Sequence, residues 1–167
     1  MKIKLLLIVT VLWCCLDVQG QTLETLPETE GVHLVLPSWK NLRTLLQMDE
    51  VRQAAVLQDY GYTALTPMWG YHRYSNTQEE LPSYMLGQNM YLCDTDEVKC
   101  IVSLNLNSLA NAVRTLKEEL RHYYSGEMPD EDGYRIDIYD VHWQGKEYEV
   151  YITNRPKYFD VTVVKGN

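Results

Sequence analysis

The last third of the chain alternates apolar and polar residues with a period of two, which is typical of half-buried β-strands. This pattern predicts strands over 134–143, 146–153 and 158–164, with a two-residue turn at Gln144-Gly145. The apolar residues of the last two strands are expected on a buried face: Tyr148, Val150 and Ile152, then Phe159, Val161 and Val163. In the first strand the apolar phase slips, which predicts a β-bulge near Tyr139-Asp140. The intervening acidic residues are expected on a solvated face: Asp137, Glu147, Glu149 and Asp160.

Helical spacing replaces this alternation in two places. Over 38–60 the apolar residues recur every three to four positions, and Ser38 and Asp49 are suitable N-caps, so we expect two short helices or one bent helix. A second amphipathic stripe, from Leu109 to Leu120, predicts a helix that Asn107 or Ser108 caps and Gly126 ends. The acidic segment 127–133 is predicted to be a loop.

The segment between these helices lacks regular spacing and is rich in aromatic residues. Residues 60–91 are expected to be irregular, with a strand near 70–74. After them, β-prone residues on both sides of the polar stretch 94–99 predict a hairpin that carries Cys93 and Cys100. The whole pattern predicts an α+β fold, in which two to three helices pack on one face of a curved antiparallel sheet made of this hairpin and the three C-terminal strands.

The N-terminal segment predicts export from the cell. Residues 1–20 combine Lys2 and Lys4 with one apolar run, and cleavage is expected between Gly20 and Gln21. The run is too short for a membrane span, so we expect a secreted, extracellular protein with a single domain over 21–167. Removal of the segment changes the net charge from −8 to −9 and leaves two of the four cysteines. In an oxidising compartment Cys93 and Cys100 are expected to form a disulfide.

The charge and the motifs exclude several classes. The acidic balance, with no cluster of Lys or Arg, argues against nucleic acid as a partner. The sequence contains no nucleophile-elbow or zinc-ligand motif and suggests no cofactor. Asp130, Glu131 and Asp132 supply oxygen ligands of the kind that Ca²⁺ prefers, but they do not match the twelve-residue calcium loop, and a solvated acidic turn is the preferred interpretation. An open sheet edge, if the strand after Lys157 provides one, would support a homodimer.

The aromatic composition is unusual, because the chain has 13 Tyr and only one Phe. Tyrosine suits pocket rims and interfaces, since its ring is apolar and its hydroxyl is polar. The candidate binding residues are Tyr62, Trp69, Tyr71, Tyr74, His142 and Trp143, and the alternative is that these rings fill the core. We therefore expect a non-catalytic protein that carries a small apolar or amphipathic ligand, or contacts another extracellular protein. The alternative from another class is a secreted enzyme with a cone-shaped pocket and Asp, His and Tyr as acid–base groups.

Overall fold

The computed structural model describes residues 22–27, 33–76 and 88–166. Its helices are α1 (Trp39–Leu46), α2 (Glu50–Asp59) and α3 (Asn107–Glu119), and a 3-10 turn covers Arg121–Tyr123. Its strands are β1 (Thr63–Met68), β2 (Tyr71–Ser75), β3 (Asn89–Cys93), β4 (Glu97–Ser103), β5 (Tyr124–Pro129), β6 (Arg135–Trp143), β7 (Lys146–Asn154) and β8 (Tyr158–Lys165). The predicted α+β class is confirmed.

The strands form one antiparallel sheet in the order β1-β2-β3-β4-β8-β7-β6-β5. The β3–β4 hairpin and the three C-terminal strands lie in it as predicted, and β1, β2 and β5 extend it. β8 pairs with β4 on one side and β7 on the other, so the strand after Lys157 is central. This strand therefore offers no free edge for a homodimer, and the edges of the described sheet are β1 and β5.

The N-terminal helices begin at the predicted caps. The Ser38 hydroxyl accepts the backbone N–H of Asn41 at 3.2 Å, and the Asp49 carboxylate accepts that of Arg52 at 2.9 Å. Each cap supplies an acceptor to an N–H group that the first helical turn leaves unpaired. The chain therefore forms two short helices instead of one bent helix. The third helix differs from the prediction, because Leu106 precedes it without a side-chain cap.

The two faces of the sheet have different surroundings. One face, which we call the core face, joins the apolar sides of all three helices in a single buried cluster. Its residues include the predicted inward sets of β7 and β8, from Tyr148 to Ile152 and from Phe159 to Val163. The opposite face, which we call the pocket face, carries a smaller buried cluster of Met90, Leu92 and Ile101. Strands β3 and β4 are thus apolar on both sides.

The phase slip in β6 has a different cause from the predicted bulge. The register of β6 against β7 is continuous from Ile136 to Trp143, and the irregularity lies on β5, between Tyr124 and Gly126. Ile136 and Ile138 occupy the pocket face, whereas Asp137 occupies the core face and is 7% exposed. Because β6 carries apolar residues on both faces, its sequence pattern changes phase although its pairing with β7 has no bulge. The prediction that Asp137 is solvated is wrong.

The region between α3 and β6 also differs from its prediction. The helix ends at Glu119, and the chain enters β5 at Tyr124, so the first three residues of the predicted acidic loop, 127–129, are in a strand. Strand β5 is exposed along most of its length and pairs only with β6. The sequence of β5 predicts a loop because an exposed edge strand has no buried face, and so its apolar and polar residues need not alternate.

Cys93 and Cys100 lie on neighbouring strands but are not opposite each other. Cys93 pairs with Val98 and Cys100 with Tyr91, so the two cysteines are diagonal neighbours on the core face. Diagonal neighbours lie about 7–8 Å apart between Cα atoms, beyond the usual span of a disulfide of about 4.4–6.8 Å, so a bond would require the strands to shift. Both are buried thiols in the structure, and burial raises the pKa of Cys93 to about 12. Their pairing stays a prediction.

The predicted signal peptide and its cleavage site, Gly20–Gln21, lie outside the described residues. Within the described ranges, every helix is too short or too polar to cross a bilayer.

A buried ion pair joins α3 to β6. Asp137 accepts from Lys117 at 2.8 Å and from Arg135 at 2.7 Å, and its side chain is 9% exposed. Burial by itself would raise the pKa of Asp137, but the hydrogen bonds from Lys117 and Arg135 lower it below the usual value of 3.8. A lowered pKa in the folded state means that the unfolded chain binds this proton more readily.

We therefore expect Asp137 to stabilise the fold at neutral pH and to lose that effect as the pH falls through its folded pKa. Urea unfolding of the native chain and of Asp137→Asn should differ most at pH 7, and the difference should shrink between pH 4 and about pH 2. Asp140→Asn, an exposed change on the same strand, is the matched control. A difference that stayed constant over this pH range would contradict the assignment.

Candidate functional site

A pocket of about 320 Å³ opens on the pocket face, over β2, β3, β4 and β8. This volume is at the lower end of the range for small-molecule sites, about 300–1,000 Å³. Apolar, aromatic and charged side chains line it: Met68, Trp69, Tyr71, Arg73, Met90, Leu92, Glu97, Lys99, Ile101, Arg155, Tyr158 and Asp160. A shallower depression continues from Glu97 and Asp160 over β7 towards β5.

The floor of the pocket is apolar because the register of β3 and β4 brings their apolar residues together on the pocket face. Met90 lies opposite Ile101 and Leu92 opposite Lys99, which brings three apolar side chains together beside one ammonium group. Met90, Leu92 and Ile101 are each at most 6% exposed, and Leu65, Tyr71 and Tyr158 pack around them. The floor is thus a pre-formed apolar surface with charged groups along one side.

The charged side of the pocket centres on Asp160. One carboxylate oxygen, Oδ2, pairs with Lys99 Nζ at 3.0 Å. The other oxygen, Oδ1, is buried, and no hydrogen-bond donor reaches it from the described residues. The residue is 8% exposed overall. A buried carboxylate oxygen without a donor is rare, because its lost hydration is not replaced.

The cations around the pocket already have partners. Arg155 lies 2.7 Å from Asp130 and 3.0 Å from Asp132, and Arg73 donates to the carbonyl of Thr66 at 3.0 Å. With Lys99 bound to Asp160, each of the three has an acceptor from the protein. Two buried polar atoms of this lining nevertheless lack a hydrogen-bond partner among the described residues, the acceptor Oδ1 of Asp160 and the donor Nε of Arg155.

Two aromatic residues form the rim. Trp69 lies in the two-residue turn between β1 and β2, at a φ of 55°, and is 82% exposed. Asn or Gly usually occupies such a turn, since a side chain is strained at positive φ. Tyr71 is half-buried, and burial, together with a hydrogen bond to Glu97, raises the pKa of its hydroxyl to about 12. Its hydroxyl is therefore protonated at neutral pH.

The structure separates the six aromatic and histidine candidates into three groups. Trp69 and Tyr71 line the pocket, whereas Tyr62 and Tyr74 are buried in the core, at 2% and 3% exposure. His142 and Trp143 lie at the end of β6 and line no part of the pocket, and the Arg43 guanidinium stacks 3.5 Å from the centroid of the Trp143 ring. The core alternative thus holds for Tyr62 and Tyr74.

The acidic turn is organised by an arginine. Asp130 accepts the backbone N–H groups of Asp132 and Tyr134, and Arg155 pairs with both aspartates. Glu131 lies between them and is exposed. In the part of the chain that the structure describes, no three acidic, His or Cys side chains come together as a metal site would require.

Several pocket residues had no sequence signal strong enough to single them out. The alternation in β8 predicts Asp160 on a solvated face, and the residues around Lys99 predict a polar turn. The available clue was the apolar character of both phases in β3 and β4, from Met90 to Leu92 and at Ile101. Such strands are buried on both sides, which indicates something beyond a sheet with one wet face.

Comparisons of the chain with protein-family models, with curated proteins and with solved structures find no match.

Proposed function

We propose that the protein is a secreted, non-catalytic binding protein that holds a small amphipathic molecule in the pocket on its pocket face. The observation that carries this proposal is the pre-formed apolar floor of Met90, Leu92 and Ile101 beside the charged pair Lys99–Asp160. Ligand sites usually combine a mostly apolar lining with a few polar groups that fix orientation. The predicted disulfide and secretion belong to the same proposal, since both depend on an extracellular setting.

The turn that carries Trp69 supports this function. A strained residue persists where the structure gains something from it, and here it places a large aromatic ring at the mouth of the pocket. Covering the ligand would remove the indole from water and add contact area at little entropic cost.

Trp69→Asn should separate binding from stability. Asn-Gly is the favoured pair for such a turn, so the variant is expected to be at least as stable as the native chain. Its affinity for a simple amphipathic probe, octan-1-ol, should fall about tenfold, which corresponds to about 1.4 kcal/mol of lost aromatic contact. Isothermal titration calorimetry measures the affinity, and thermal unfolding followed by circular dichroism measures the stability.

Trp143→Phe is the matched control, because Trp143 is the tryptophan at the end of β6 that lines no part of the pocket. Its affinity for octan-1-ol should match that of the native chain. Equal affinities for the native chain and Trp69→Asn would remove Trp69 from the site, and absence of saturable binding to the native chain would refute the proposal.

A second candidate function is contact with another protein, which the 82% exposure of Trp69 on an edge hairpin favours. Exposed aromatic residues are enriched at the centres of protein interfaces. This function predicts a complex or a homodimer in native mass spectrometry and no saturable binding of octan-1-ol.

The enzyme alternative is supported only in part by the pocket. Tyr71 and Asp160 supply the Tyr and the Asp of the acid–base set, but the described residues that line the pocket include no histidine. His72 instead pairs with Glu50 at 2.8 Å, on the opposite face of the sheet.

A further inference from the structure

We infer that the bound molecule carries a hydrogen-bond donor, as an alcohol or a primary amine does, and that this group donates to Oδ1 of Asp160. The inference rests on the proposed binding function and names the class of ligand. It follows from Oδ1 of Asp160, a buried acceptor of the pocket to which no described residue donates a hydrogen bond.

Asp160 meets the requirements of a head-group acceptor. Its residue is 8% exposed, and its Oδ2 is held by Lys99 at 3.0 Å, which fixes the orientation of the carboxylate. Oδ1 is buried, and within the described ranges nothing donates to it. A ligand donor at this position would replace the lost hydration with a charge-assisted hydrogen bond, which is about twice as strong as a neutral one.

The strand register places this acceptor directly beside the apolar floor. Asp160 lies opposite Ile101 across the β4–β8 pair, and Ile101 lies opposite Met90 across the β3–β4 pair. Neighbouring strands are about 4.8 Å apart. A short molecule can therefore place its polar head at Asp160 and its apolar body over Ile101 and Met90.

A carboxylate head fits this pocket poorly. Lys99 is engaged with Asp160, Arg155 with Asp130 and Asp132, and Arg73 with the carbonyl of Thr66. An anionic head would have to compete with these acceptors, would face the unpaired carboxylate oxygen of Asp160, and could gain a free donor only at Nε of Arg155, which has no partner among the described residues. Like charges at this separation repel, so selectivity against acids follows from the same atom that selects donors.

Three probes with the same eight-carbon chain test the inference by calorimetry: octan-1-ol, 1-methoxyoctane and octanoate. The alcohol donates a hydrogen bond, the ether only accepts, and the acid is ionised at pH 7. We expect the alcohol to bind the native protein at least tenfold more tightly than either of the others, since an unpaired buried polar group penalises the analogue that lacks its partner. Octylamine should share the preference of the alcohol.

Asp160→Asn should abolish or reverse this preference. The amide oxygen can keep the contact with Lys99, which leaves the NH₂ group, a donor, in the place of Oδ1. The alcohol should then lose its tenfold advantage over the ether, and octanoate should bind more tightly than it binds the native chain. Asp140→Asn removes the same charge from an exposed position outside the pocket and should leave the native order of affinities intact.

The outcomes distinguish the two proposals. If none of the probes binds the native protein, the proposed function fails, and this inference fails with it. If the probes bind but the alcohol and the ether bind equally, or octanoate binds best, the binding function stands and the donor assignment is overturned. A preference for the alcohol that survives Asp160→Asn in a folded variant would place the head group elsewhere. The comparison among probes on the native chain decides the matter even if the variant does not fold.

Discussion

Asn41→Leu should lower the free energy of unfolding by about 3 kcal/mol, because it removes three hydrogen bonds that each contribute about 1 kcal/mol. Asn41 is fully buried, and its amide joins two separate stretches of backbone. Its Nδ2 donates to the carbonyls of Glu24 and Leu36 at 2.8 and 3.0 Å, and its Oδ1 accepts the N–H of Glu24 at 2.9 Å. Leucine has a similar shape and makes none of these bonds.

Urea unfolding measured by circular dichroism tests this expectation. The midpoint should fall, while the slope should stay near the native value, since the surface exposed on unfolding is the same. Asn111→Leu is the matched control, because Asn111 is exposed on α3. Exposed substitutions of this kind change stability by about 0.5 kcal/mol or less. Equal losses in the two variants would show that Asn41 does not hold the N-terminal segment.

Tyr62→Phe should cost about 2 kcal/mol, although it removes a single oxygen atom. The hydroxyl of this core residue accepts the N–H of Val35 at 3.3 Å and donates to Oδ1 of Asn89. The same asparagine donates to the carbonyl of Val35, so three residues satisfy one buried stretch of backbone. The loss leaves the Val35 N–H unpaired and Asn89 with a long contact from Asn76, at 3.4 Å.

Tyr123→Phe deletes the same atom from a side chain that is 39% exposed, and its unfolding curve should overlay that of the native chain. A double-mutant cycle adds a sharper test. In an Asn89→Leu background the cost of Tyr62→Phe should be smaller, because the carbonyl oxygen that the hydroxyl served is already gone. Additive losses would show that the two side chains do not act together.

Hydrogen bonds to the N-terminal backbone account for part of the excess of tyrosine over phenylalanine. Residues 22–27 and 33–36 run beside the helices outside the sheet and form only an isolated bridge, between Thr25 and Val35. Side chains therefore complete the hydrogen bonding of this backbone, among them the hydroxyls of Tyr60, Tyr62 and Tyr91. Phenylalanine would fill the same volume and leave those backbone groups unpaired. Part of the composition that suggested a binding surface thus serves the core.

Local patterns were sufficient for much of the fold. The period of two in β7 and β8 predicted which residues face inward, since one side of each strand packs against the core. Ser38 and Asp49 predicted where α1 and α2 begin, because capping depends on residues within one turn. The edge strands β1 and β5 were not predicted as strands, because each pairs on one side only and β5 is exposed along most of its length.

The candidate site depended on contacts that are distant in sequence. Trp69 and Tyr71 were predicted as binding residues and do line the pocket, whereas Tyr62 and Tyr74, of the same residue type as Tyr71, face the core. In β2, Tyr71 and Tyr74 differ by three positions and so face opposite sides of the sheet. The spacing of residues in β2 does not indicate which face of the sheet packs against the helices.

The sequence by itself determined the α+β class, the caps of the first two helices and the inward phase of the C-terminal strands, because these follow from the spacing of neighbouring residues. Only the tertiary structure decided that β4 pairs with β8, and with it that Lys99, Ile101 and Asp160 meet on one face. These residues are far apart in the sequence, and the pairing of β4 with β8 brings them together. The register of that pairing depends on the packing of the whole sheet. The physical character of the site, a buried acceptor beside an apolar floor, arises from that pairing.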